Sequence, residues 1–188
     1  MAIVVHPNKL LSAPARHVVV RCANGFKTYG KKPQNDDDCV VMSLPELRKI
    51  CNDLMIECDG IKSASLSAPQ IGAPARVFVM KIDKVYRVFV NPRVVMGTSK
   101  RSVVSSASAE ARQFMSTEAC PSLPNHRPVA VMRCSECEVM ACDLTGLPFS
   151  LRVSGIRAVC AQHEFDHLNG ITLLDKIPKS VERAARRS

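Results

Sequence analysis

Apolar positions along this chain change their period several times, and each change marks an element. From Ser43 the run SLPELRKICNDLMIECDG places Leu47, Ile50, Cys51, Leu54, Met55 and Cys58 at intervals of three and four, the period of one helix face. Ser43 followed three residues later by Glu46 is a capping-box pattern, so the spacing predicts a helix that begins there and stops at Asp59-Gly60. Next, ARVFVMKIDKVYRVFVNP reads as two β-rich runs turning at Asp83-Lys84 and closed by Asn91-Pro92, a hairpin. CEVMACD and PFSLRV, on either side of Leu144-Thr145-Gly146, predict a second hairpin. A second helix is predicted between Ser154-Gly155 and Asn169-Gly170, with Ile156, Val159, Cys160, His163 and His167 on one stripe. FKTYGKKPQNDDDC and GTSKRSVVSSASAEARQF are polar or Ser/Ala-rich without a clear period and read as surface insertions.

Composition narrows the class. With 188 residues, 46% of them hydrophobic, the chain can bury one ordinary core, and a single domain over 1–188 with a basic C-terminal segment, 177–188, is expected. No stretch reaches the roughly 18 consecutive apolar residues of a membrane span, so no membrane role is expected. Its start, MAIVVHPNKLL, lacks the basic and long apolar pattern of a secretion signal. Nine cysteines, an odd count, read as mostly reduced thiols. A formal charge of +9 gives either a solvated basic surface or a weak attraction to RNA, ribosome or anionic membrane. Only 4% of residues are aromatic and there is no tryptophan, which argues against a dedicated base-stacking module.

Chemistry concentrates in AQHEFDHLNG. His163 and His167 are four apart and therefore share a helix face, with Glu164 beside the first. One more ligand is needed. Downstream only Asp175 and Glu182 are available, near the basic end; upstream stand Cys120 in STEACPSLPNHR and, earlier, Pro69-Gln70 in SASLSAPQIG. Cys134 and Cys137, with Cys142 and Cys160, offer a competing structural zinc site, though strand residues three apart point to opposite faces.

These three stretches, in this order, resemble the three signature motifs of peptide deformylases, metal hydrolases that remove the formyl group from the N-terminal methionine of nascent chains. HPNKLLSAPA and CDLTGLPF resemble further parts of that family, so the likeness covers most of the chain. It implies an α+β, peptide-deformylase-like fold with antiparallel β-sheets around a central metal-binding helix, and Cys120 delivered from a strand. It implies one divalent metal ion on Cys120, His163 and His167, Fe2+ foremost, with Zn2+, Ni2+ or Co2+ also admitted by the donor set. Such an ion lowers the pKa of water towards roughly 7. Glu164 is then the general base and acid, and Gln70 a donor to the developing oxyanion. Ser65, Arg127, Ile156, Val159 and Cys160 match substrate-binding positions. N-formylmethionyl nascent peptides are the expected partners, with a ribosome contact through the basic C-terminal segment. The long insertions point to the mitochondrion, the bacterial cytoplasm being the alternative.

Two departures from the family pattern stand out. Pro121 follows the metal cysteine where the family has a backbone N–H that helps hold the formyl oxygen, and proline has none. Ser63, Ser65 and Ser67 stand where two glycines and an alanine are expected, narrowing the approach of a substrate backbone. The alternative to an active deformylase is therefore a metal-binding paralogue with weak or shifted activity that binds peptides or the ribosome.

Overall fold

The computed structural model describes residues 2–23, 25–31, 33–96 and 112–177. Among the described residues, ten strands form three sheets and two α-helices pack with them. β1 (His17–Cys22) lies between β2 (Gly25–Thr28) and β3 (Cys39–Ser43). β4 (Ser65–Ser67), β5 (Val77–Ile82), β6 (Val85–Met96), β9 (Glu136–Cys142) and β10 (Pro148–Ser154) make a five-stranded antiparallel sheet in the order β10-β9-β6-β5-β4. β7 (Gln113–Glu118) and β8 (Val129–Cys134) form an antiparallel pair. The fold is α+β with mainly antiparallel sheets, as expected, with one exception among the strands: β1 and β3 are parallel. Part of the first predicted insertion is β2, paired to β1.

α1 (Leu44–Gly60) begins where the capping box predicts: the Ser43 hydroxyl accepts from the Glu46 N–H while the Glu46 carboxylate accepts from the Ser43 N–H. Leu47, Cys51, Leu54 and Cys58 are buried. Gly60 lies inside the helix, and the left-handed residue beyond it is Lys62, at φ 57°.

The Asp83-Lys84 turn takes φ 50° and 68°, the primed geometry that suits the twist of two strands. Alternation along β5 then divides the core. Val77 and Val79 pack with Leu47 and Leu54 of α1 on one face of the sheet. Phe78 and Met80 pack with Ala158, Ala161 and Leu168 of α2 (Ile156–Leu168) on the other. Phe78 and Phe89 stack across β5 and β6 with centroids 4.4 Å apart.

One expectation needs correction. β6 does not close at Asn91-Pro92 but runs on to Met96, because the ladder to β9 shifts register between Val90 and Arg93 and absorbs a proline that could not donate within a regular pairing. The stripe of Ile156, Val159, Cys160, His163 and His167 is not the face of α2 that meets the sheet core. Ile156 is 72% exposed and Cys160 half-buried, while Ala158, Ala161 and Leu168 make the core contact. Small residues let α2 lie close to the sheet, leaving the other stripe to line a cavity. Most of the second predicted insertion (97–111) and nearly all of the basic segment (178–188) lie outside the described residues. No helix among the described residues is long and apolar enough to cross a membrane.

Candidate active site

The two histidines are presented by α2, and the cysteine comes from the turn after β7, two residues past its last strand residue. Cys120 is therefore delivered from a turn and not from a strand; Leu123 N–H donates to its carbonyl at 2.9 Å and tightens that turn. The ligand atoms of Cys120, His163 and His167 all lie within 4.8 Å of one another, the only such group of three among the described residues. Cys120 Sγ is 3.2 Å from His167 Nε2. One soft thiolate and two imidazoles at this spacing suit a divalent transition ion and leave coordination positions open. Cys134, Cys137, Cys142 and Cys160 form no such cluster.

A layer of charge behind the ligands fixes them. His163 Nδ1 is 2.9 Å from Glu118 Oε2, which fixes the ring and turns Nε2 towards the metal corner. Arg133 clamps Glu118 in a two-pronged pair at 2.7 and 2.9 Å and also reaches Asp166, which Lys176 joins at 2.8 Å. Burial alone would raise the Glu118 carboxyl, but Arg133 and His163 outweigh it and hold it at about 2. Burial would likewise lower His163, yet hydrogen bonding with Cys120 and Glu118, with the nearby negative charge, raises it to about 10. His167 is pushed down to about 3 by burial, then by the charges of His163 and Arg133. A divalent ion on these residues would displace the His163 proton, because an imidazole ligates only when neutral.

Glu164 is 2% exposed. Ser65 Oγ donates to its Oε1 at 2.7 Å, while Oε2 is buried without a partner among the described residues. Burial raises its pKa; the His163 charge and the hydrogen bond from Ser65 oppose the shift without cancelling it. A raised carboxyl with one anchored and one open oxygen is suited both to take and to return a proton. Gln70, fully buried in a 3-10 turn (Ala68–Ile71), accepts at Oε1 from the Ser67 N–H and hydroxyl at 3.0 and 2.8 Å. Its Nε2 donates towards Cys120 Sγ at 3.7 Å, so the amide N–H groups face the ligand corner.

Ser65, Glu118, Pro121, Val159, Cys160 and Glu164 line a cavity of about 210 Å³ beside this corner, with Ile156 at its rim. Arg127 is exposed and is not among the lining residues. The serines have partners within the site: Ser63 donates to the Ser65 carbonyl at 2.8 Å, and Ser65 and Ser67 turn to Glu164 and Gln70. Their hydroxyls serve the site's own groups.

Sequence reasoning missed Arg133. In VAVMRC Val131, Arg133 and Cys134 are buried while Ala130 and Met132 are exposed, so an arginine falls in the inward phase of the strand. A charge there demands a buried acid, and Glu118 and Asp166 were already visible in the motifs.

Residues 33–183 match the family model of the polypeptide deformylases. A peptide deformylase of Brucella suis biovar 1 is 32% identical over 139 residues, covering 71% of this chain and 72% of that protein. Among solved structures, a peptide deformylase from Legionella pneumophila superposes with a TM-score of 0.70 at 27% identity, over 98% of this chain and 90% of that one. An inhibitor complex of Plasmodium falciparum peptide deformylase gives 0.67 at 25% identity, over 98% and 94%. With the motifs, the ligand corner and the whole course of the chain in agreement, this protein belongs to the polypeptide deformylase family.

Proposed function

We propose that this chain is a metal-dependent hydrolase that removes the formyl group from N-terminal formylmethionine of nascent polypeptides. The observation that carries the reading is the convergence of Cys120, His163 and His167 within 4.8 Å beside a buried Glu164 whose Oε2 has no described partner. A divalent ion on those three residues supplies Lewis acidity and a water of lowered pKa. Glu164 is the residue placed to accept a proton from the attacking water and to return it to the amine as the C–N bond breaks, with formate as the other product. Gln70 Nε2 donates to the charge that builds on the formyl oxygen. β4 is the edge strand of the five-stranded sheet, and its Ser65 lines the cavity, so an extended peptide can pair along it with the first side chain against Val159, Cys160 and Ile156. Arg127 serves at most the outer mouth.

Iron is the metal we assign, because one thiolate with two imidazoles suits Fe2+ as well as Zn2+, Ni2+ or Co2+ and family members use ferrous iron. The mitochondrion, where chains begin with formylmethionine, is the proposed location, and the basic segment 177–188 the proposed ribosome contact. Cosedimentation with ribosomes that survives deletion of that segment would remove the last proposal.

Pro121 favours a second reading, a family member that keeps its metal but turns over slowly. It lines the cavity next to Cys120 and has no N–H for the oxyanion. Loss of one such donor costs about 10²- to 10³-fold in rate. Formate release from formyl-Met-Ala-Ser by anaerobic, iron-loaded protein separates the readings. Native protein is expected to be active above its metal-free control, and Pro121→Leu about 10²- to 10³-fold faster. If neither exceeds the control, the enzymatic reading fails.

A further inference from the structure

The larger described cavity is not the catalytic one. It has a volume of about 570 Å³, in the range of small-molecule sites, and shares no lining residue with the cavity beside Glu164. Its apolar surface comes from Met140, Ala141 and Phe149, and its charge from Arg76, Arg93 and Lys31. No acidic residue lines it.

Arg76 is the informative member. It is half-buried, and burial lowers its pKa, yet among the described residues no carboxylate is paired with it. Its guanidinium donates to the Leu168 carbonyl and to Asn169 Oδ1, both at 2.9 Å, and stacks 5.2 Å from the centroid of Phe165. Those bonds fix its position at the C-terminus of α2, where the helix supplies the equivalent of roughly half a negative charge. Arg133 gives the contrast: that guanidinium, more deeply buried, holds two carboxylates. Buried charges are ordinarily matched, so Arg76 retains an unmatched part of its charge at a concave, largely apolar surface.

The cavity is also built rather than left over. It sits where the β6–β9 ladder shifts register, at Asn91, held at φ 50°. Asn91 accepts from Val18 N–H at 2.8 Å and donates to the carbonyls of Val18 and Tyr29 at 2.9 and 2.7 Å. These bonds tie the bulge to β1 and hold the opening in place.

We propose that this cavity is a second ligand site, for a small amphipathic anion whose carboxylate or phosphate meets Arg76 and Arg93 while its apolar body lies against Met140 and Phe149. The inference does not depend on the catalytic reading, because it concerns other residues.

Calorimetric titration of the full chain with octanoate, octyl phosphate below its micellar concentration, octan-1-ol and inorganic phosphate tests it. Binding by octanoate or octyl phosphate is expected at least ten times tighter than by octanol or inorganic phosphate; which of the two binds tighter names the headgroup. Arg93→Glu and Ser150→Trp, both at exposed positions on the lining, are expected to weaken the better probe at least tenfold without altering formate release or the thermal midpoint. Equal binding of octanol would remove the anion from the proposal, and equal binding of inorganic phosphate would remove the apolar body. No measurable binding of either amphiphile, or binding unchanged in both variants, overturns it.

Discussion

The two halves of the catalytic site are built to different standards of completeness. On the metal side, His163 leans on Glu118, Glu118 on Arg133, and Arg133 on Asp166. On the substrate side, the turn after Cys120 offers Pro121 where an N–H is needed, and β4 carries serines whose hydroxyls are committed to Glu164 and Gln70. Holding a metal asks only that ligands be oriented and their charge balanced, whereas turnover also asks for donors aimed at charge that exists only in the transition state. The two demands fall on different elements, so one can erode while the other stays whole.

The largest expected effect separates them from within. Glu164→Gln keeps the shape of the side chain but removes the proton acceptor, and formate release is expected to fall about 10²- to 10⁴-fold. Metal content, measured by elemental analysis after gel filtration, is expected to stay at the native level. Loss of metal alongside activity would mean that the carboxylate belongs to the ligand half. Arg133→Leu attacks that half from behind. Leaving Glu118 and Asp166 buried without their cation is expected to cost about 3 to 5 kcal/mol in urea unfolding, as removal of one partner of a buried pair does. Glu118→Gln is milder: it retains a hydrogen-bond acceptor for His163 and loses the charge, and metal affinity is expected to drop about 10- to 100-fold in chelator competition. If chelator competition leaves Glu118→Gln as tight as native, the charge layer orients nothing.

Much of this contrast could be read from residue types because it depends on local rules. The capping box and stripe of α1 are local, as are the Asp83-Lys84 turn and the four-residue spacing of the histidines. What escaped depends on the partner a residue meets. α2 has two usable stripes, and only packing against Phe78 and Met80 decides that the small-residue stripe of Ala158 and Ala161 is the core one. Asn91-Pro92 looked like an end because a proline cannot donate in a ladder, and the bulge that accommodates it is a property of the β6–β9 pair. That Ser65 donates to Glu164, 99 positions away in the chain, is not legible from either residue alone. Arg133 carried a signal, a charge in the inward phase of a strand, that identifies a need without naming what meets it.

The smallest expected effect lies at the other cavity, where His17 packs beside Arg76 and Asn91. Asn91 Nδ2, which donates to the carbonyls of Val18 and Tyr29, also lies 3.0 Å from His17 Nε2, a contact that suits a neutral ring. A second proton on the ring would set donor against donor. Burial, then the charge of Arg76, lowers the pKa, against a backbone bond to Tyr29 that raises it. In the native state the ring therefore stays neutral as pH falls through about 6.5, while the unfolded chain takes up a proton there. The stability this contributes is complete above that value and is lost as pH falls towards the lower native one. His17→Gln cannot titrate, so the stability gap between native protein and variant, measured by urea unfolding in a buffer free of organic anions, is expected to narrow from about pH 7.5 to about pH 5.5. Parallel curves for the two proteins over that range would place the pH dependence elsewhere and leave His17 with a packing role alone.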